Sequence, residues 1–85
     1  AVEVGGNADV IESRAMTYFR NGMFDEAMKD LDAALELDPD QNYSLLLRGL
    51  TRIEQGDAKG REDVDAALAR EPMIALDFRR WGFDL

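Results

Sequence analysis

The stretch RNGMFDEAMKDLDAALELDP, Arg20–Pro39, holds no histidine, no cysteine and no glycine-rich loop, yet small and large apolar residues recur in it every three or four positions. It also returns downstream. Asp30–Pro39, DLDAALELDP, is matched 33 residues on by Asp63–Pro72, DVDAALAREP. The residues before it return too: SRAMTYFRNG, Ser13–Gly22, is matched 34 residues on by LRGLTRIEQG, Leu47–Gly56. The shift changes because one residue is missing after Gly56. Matches on both sides of one deletion mark an internal repeat of 33–34 residues, a period typical of stacked helical units.

The repeated unit reads as a helical hairpin. Ile11, Ala15 and Tyr18 form one stripe at helical spacing, and Phe24, Ala27, Leu31, Ala34 and Leu35 form a second. Gly22 separates them and Pro39 stops the second. Asp25 and Glu26 fall in its first turn, where carboxylates suit the helix dipole. Asp57 is placed to cap the fourth helix. Ala15, Ala27, Ala34, Gly49, Gly60 and Ala67 are small enough to let neighbouring helices approach closely. The pattern predicts an all-α fold with helices near 8–21, 24–37, 41–55, 58–70 and 73–83, antiparallel neighbours and no sheet.

This arrangement resembles the tetratricopeptide-repeat family. In the first unit the matching residues are Ala15, Tyr18, Gly22, Phe24, Ala27, Leu31, Ala34 and Pro39, and in the second Gly49, Gly56, Val64, Ala67 and Pro72. Arg52 stands where the family has an aromatic residue, and Gly60 where it has alanine. The resemblance implies an α-solenoid of antiparallel hairpins, with repeats over about 8–41 and 42–74 and a capping helix over about 75–85; residues 1–7, without periodicity and with Gly5–Gly6, read as a flexible lead-in. Phe78, Trp81, Gly82 and Leu85 repeat the spacing of Ile11, Arg14, Ala15 and Tyr18. Two hairpins alone leave an apolar face open, so Trp81 is expected to be buried as the cap, against Val64 and Ala67 or Leu68.

Composition narrows the function. The chain has 85 residues and a net charge of −8, with 18 acidic against 10 basic residues. One small domain is expected, with a surface that repels nucleic acid and anionic membrane. No cysteine is present, so no disulfide or thiolate metal site is available, and the compartment, cytoplasmic or periplasmic, stays open. No apolar run approaches the roughly 20 residues of a membrane span. DPDQN, Asp38–Asn42, begins like a calcium loop, but Tyr43 and Gly49 stand where glycine and glutamate are needed. No metal, no cofactor and no enzymatic activity is expected, because no nucleophile–base or metal-ligand constellation is visible. The chain begins at Ala1 rather than methionine and reads as a processed or excised product.

Two further sets of residues stand out. Arg14 and Arg48 immediately precede the small residues of their helices, and each is matched by an aspartate in the next helix, Asp30 and Asp63. They read as ion pairs within each repeat. The resemblance also implies a concave groove lined by the first helix of each hairpin. Its lining would be Glu12, Met16 and Phe19 on the first helix, Tyr43, Leu46, Leu47, Leu50 and Ile53 on the third, and Arg79 and Phe83 on the last. The lysine–asparagine clamp by which one branch of the family holds chaperone tails is absent, since Glu12, Ser13, Leu46 and Leu47 occupy its places. The implied function is a protein-interaction module for a peptide or helix, neutral or basic in charge and with apolar anchors. The alternatives are a structural appendage of a larger enzyme, its groove filled by its own chain, and a module that self-associates as a homodimer.

Overall fold

Apolar residues at helical spacing become five helices in the computed structural model, which describes residues 8–83. They are α1 (Ala8–Arg20), α2 (Phe24–Leu37), α3 (Asn42–Glu54), α4 (Lys59–Arg70) and α5 (Ile74–Arg80). No strand occurs among the described residues. The lead-in expected over 1–7 and the position of Leu85 lie outside them. α1 packs on α2 and α3 on α4 as two hairpins, joined through α2 and α3.

The same turn ends α1, α3 and α5. Gly22, Gly56 and Gly82 have φ of 75°, 79° and 99°, a left-handed conformation that glycine adopts without strain. In each, the N–H of the following residue reaches back five positions: Met23 to the Tyr18 carbonyl at 2.9 Å, Asp57 to Arg52 at 2.8 Å, and Phe83 to Phe78 at 2.9 Å. The glycine's own N–H bonds three back, at 3.0 Å in all three turns. This is the Schellman motif, which satisfies carbonyls that the helix end leaves open.

These glycines correct the expected register of the third unit. Gly82 aligns with Gly22 and Gly56 as a helix terminator, not with Ala15 and Gly49 inside a helix. α5 therefore ends at Arg80 instead of continuing to 83, and spans 7 residues against 13 for α1 and for α3. The residue missing after Gly56 leaves that turn unchanged and shortens α4, which has 12 residues against 14 for α2. Asp57 holds the start of α4 by accepting the Lys59 N–H at 2.9 Å.

The core runs through both hairpins and into α5. Ala15, Leu31, Leu45, Leu46, Leu47, Val64, Ala67, Ile74 and Phe78 form one buried cluster. α3 and α4 approach backbone to backbone where Gly49 faces Gly60; a Cβ on Gly49 would lie 2.6 Å from the Gly60 carbonyl oxygen. Ala15 and Ala27 hold the corresponding places in the first hairpin, so the second closes more tightly.

The expected cap is replaced by its neighbour. Trp81 is 40% exposed, whereas Phe78 is 0% exposed. The reason is the early end of α5: Phe78 lies inside the helix and points into the core, while Trp81 falls in the turn beyond it. The Trp81 ring lies against Phe78 and Tyr43, with centroids 5.2 and 6.0 Å away.

Candidate functional site: the face of α1 and α3

The ionic framework of the hairpins comes first, because it orients the helices that carry the face. Arg14 Nε and Nη2 donate to the two carboxylate oxygens of Asp30, at 2.8 and 2.7 Å. Arg48 does the same to Asp63, at 3.0 and 3.1 Å. Such forked contacts are the strong form of the arginine–carboxylate pair. Their hydrogen bonds hold both guanidinium pKa values above the ordinary arginine value. The second pair is part of a larger network. Arg52 also donates to Asp63, at 2.8 Å, and Arg48 reaches Asp32 of α2 at 3.2 Å. Asp32 and Arg52 were not anticipated; the signal was an arginine in an aromatic slot, one helical turn from Arg48.

α5 and the turn after it lie across the face of α1 and α3. The Tyr43 hydroxyl on α3 donates to Asp77, and its ring lies 5.9 Å from Phe78. Phe83 meets Phe19 of α1 and Phe78, with centroids 5.4 and 5.2 Å apart. Arg20 of α1 donates to the Trp81 carbonyl at 2.8 Å, and its guanidinium carbon lies 5.4 Å above the Phe83 ring. The hydrogen bond to Asp77, followed by loss of solvent, pushes the Tyr43 pKa up to about 12.

This crossing changes which groove residues are reachable. Leu46 and Leu47, expected to line an open groove, are both 0% exposed and belong to the core cluster that includes Ile74 and Phe78. An apolar stripe read along one helix shows that a face will be covered, but not by what; here the buried cluster it joins includes Ile74 and Phe78 of the chain's own α5. Met16, Phe19, Tyr43, Leu50 and Phe83 are half-buried and pack against that cluster. Ile53 is 42% exposed, Arg79 is exposed and Glu12 is half-buried. Glu12 has its pKa raised, by burial first and by the nearby charge of Asp9 second.

Two open regions remain on the face. One is a cleft of about 370 Å³ between Phe19, Leu50, Ile53, Val64 and Phe83, with Glu54 and Arg61 at its rim. The other flanks Trp81. It lies against Glu12 and Ser13 of α1 and extends to Met16 and Arg20 in one part and to Asp9, Gln41 and Tyr43 in the other. Val64 and Arg61 complete the first cleft beyond the residues that helical spacing picked out. No group of three acidic side chains able to hold a metal ion occurs among the described residues.

The family model for the tetratricopeptide repeat matches residues 8–41, the whole of the first hairpin and the turn after it. That match covers the first hairpin alone, and the five helices, with no strand among the described residues, are consistent with a tetratricopeptide-like helical repeat. Its second hairpin keeps the same terminator turn and the same arginine–aspartate contact. No curated protein and no solved structure matches the chain. Tetratricopeptide repeats are generally non-enzymatic modules for protein–protein interaction, and their partners are proteins. No helix among the described residues is long and apolar enough to cross a membrane.

Proposed function

We propose that the chain binds a short segment of a partner protein on the face of α1 and α3, with an apolar side chain of that segment seated in the cleft between Phe19, Leu50, Ile53, Val64 and Phe83. The observation that carries this reading is Ile53. It is a large apolar side chain 42% exposed at the edge of an apolar cleft, on a helix whose other large apolar residues are buried or half-buried. Clustered apolar exposure of this kind marks interaction surfaces. Met16 stays half-buried on the same face, and methionine adapts its shape to varied partners. The net charge of −8 favours a neutral or basic ligand.

A selection from a displayed random-peptide library tests this. Enriched peptides should carry an aromatic or branched aliphatic anchor, and should lose at least about tenfold in affinity for Ile53→Glu. Peptides that bind Ile53→Glu as well as the parent chain would place the interaction elsewhere.

A second reading has its own support. Ile74 and Phe78 of α5 share one buried cluster with Leu46 and Leu47, which supports a groove partly occupied by its own chain.

A further inference from the structure

α5 occupies the face of α1 and α3 in the manner of a bound helix. It is reached through Glu71, Pro72 and Met73, where Pro72 prevents α4 from continuing. Its backbone does not approach any other helix as α1 approaches α2 or α3 approaches α4. Side chains hold it instead. Ile74 and Phe78 enter the core, Asp77 accepts from Tyr43, the Trp81 carbonyl accepts from Arg20, and Phe83 rests on Phe19. Packing around Trp81 is incomplete, with open space left between the indole and Glu12 and Ser13 of α1. Charge is complementary as well. Residues 73–83 carry two arginines against one aspartate. The face beneath belongs to an acidic chain and holds Glu12, partly desolvated and beside Asp9.

We propose, resting on the interaction reading above, that α5 is an exchangeable internal occupant of this groove. The groove's partner is a neutral-to-basic segment, a short amphipathic helix followed by a tight turn, that presents a carboxylate immediately before an aromatic residue of the helix and a second aromatic beyond the turn, five residues after the first. The contacts of α5 define that chemistry. Tyr43 offers one hydroxyl donor and requires an acceptor. The Tyr43 ring, beside a core cluster that Phe78 joins, suits an apolar aromatic such as Phe78. Phe19 and Arg20 present a ring edge and a cation that suit a second aromatic such as Phe83. A partner with these groups replaces each contact that α5 makes. It competes against a tethered segment, so its apparent affinity falls by the fraction of chains in which α5 is displaced.

The experiment uses the full chain and, as probe, a labelled synthetic peptide of residues 72–83 with blocked ends, followed by fluorescence anisotropy. The parent chain should bind the peptide weakly. Phe78→Ala, which loosens α5 and leaves every groove side chain in place, should bind it at least about tenfold more tightly. Adding Tyr43→Phe should remove most of that gain, and a peptide with Asp77→Ala should bind poorly to both chains. Circular dichroism establishes that the variant is folded. If Phe78→Ala loses helical signal, Asp77→Ala keeps the core intact, and the same gain is expected from it. A folded, loosened variant that binds the peptide no better than the parent chain overturns the proposal, as does equal binding of a scrambled peptide. Neither result touches the library selection against Ile53→Glu, so the two readings fail separately.

Discussion

Arg48 donates through Nε and Nη2 to the two carboxylate oxygens of Asp63, repeating across α3 and α4 the contact that Arg14 makes with Asp30 across α1 and α2. The two pairs differ in surroundings. The Arg14 side chain is 50% exposed and that of Arg48 is 22% exposed. Asp63 also carries the hydrogen bond from Arg52. Removing Asp63 takes a shared partner from two partly buried guanidinium groups and leaves Arg48 only its longer contact with Asp32, whereas removing Asp30 leaves one guanidinium that water reaches. Asp63→Ala should therefore cost more than Asp30→Ala in urea denaturation. The cost should be about 2–3 kcal/mol, below that of breaking a fully buried pair because water reaches both arginines. The triple replacement of Arg48, Arg52 and Asp63 by apolar residues of similar volume should cost less than Asp63→Ala alone.

Phe78 and Trp81 should exchange the roles that spacing assigns to them. Phe78→Ala empties a fully buried site and should cost about 3–5 kcal/mol, a large part of the stability of a domain this small. Trp81→Ala removes a side chain that is already partly hydrated and should cost about 1–2 kcal/mol. Chemical denaturation of both variants orders them; a larger loss for Trp81→Ala would return the cap to the indole.

The Tyr43–Asp77 contact predicts an alkaline transition. Neutral Tyr43 donates to Asp77, so the folded chain holds the proton above the ordinary value of 10.0, up to about 12. A raised folded value means that the contact contributes fully below pH 10 and is lost as pH rises towards 12. Ionisation removes the donor and sets two anions against each other. Tyrosinate absorbance should therefore continue to rise up to about pH 12, and the late part should disappear in Asp77→Ala. Trp81 fluorescence should change over the same interval, because the indole rests on the Tyr43 ring.

Glu12 should be a source of instability at neutral pH. Burial and Asp9 raise its pKa above 4.5, so the charged form is less welcome in the folded chain than in the unfolded one. That penalty is absent below the unfolded value and appears as pH rises through the folded value. Glu12→Gln should raise the melting temperature at pH 7, and the advantage should vanish when both chains are measured well below pH 4.5.

Two glycine substitutions separate space from backbone conformation. Gly49→Ala directs a methyl group at the Gly60 carbonyl and the Val64 side chain, so α3 and α4 must move apart; a cost of about 1–3 kcal/mol is expected. Gly22→Ala meets nothing within 4 Å but places alanine at φ 75°, a conformational penalty of about 1–2 kcal/mol. Adding Gly60→Ala to Gly49→Ala should deepen the loss, while a second methyl placed far from the first turn should leave the Gly22→Ala value unchanged.

The sequence by itself determined the two hairpins. Their stripes, the terminating Gly22 and Gly56, the stop at Pro39 and the arginine–aspartate pairs are all local or tied to the repeat period, so each can be read within one unit. It also marked α3 as apolar beyond the needs of its own hairpin. Only the tertiary structure decided what covers that surplus. Phe78, Trp81 and Phe83 have similar apolar character, and spacing alone aligned Gly82 with Gly49. The backbone instead makes Gly82 a helix terminator, which ends α5 early, turns Phe78 inward and leaves Trp81 at the surface. Asp32 and Arg52 joined the Arg48–Asp63 pair for a related reason: their partners lie on other helices, brought near by how α2, α3 and α4 stack. Periodicity specifies which face of a helix avoids water, whereas the identity of its cover depends on chain crossings between elements distant in sequence, and here that crossing is made by α5.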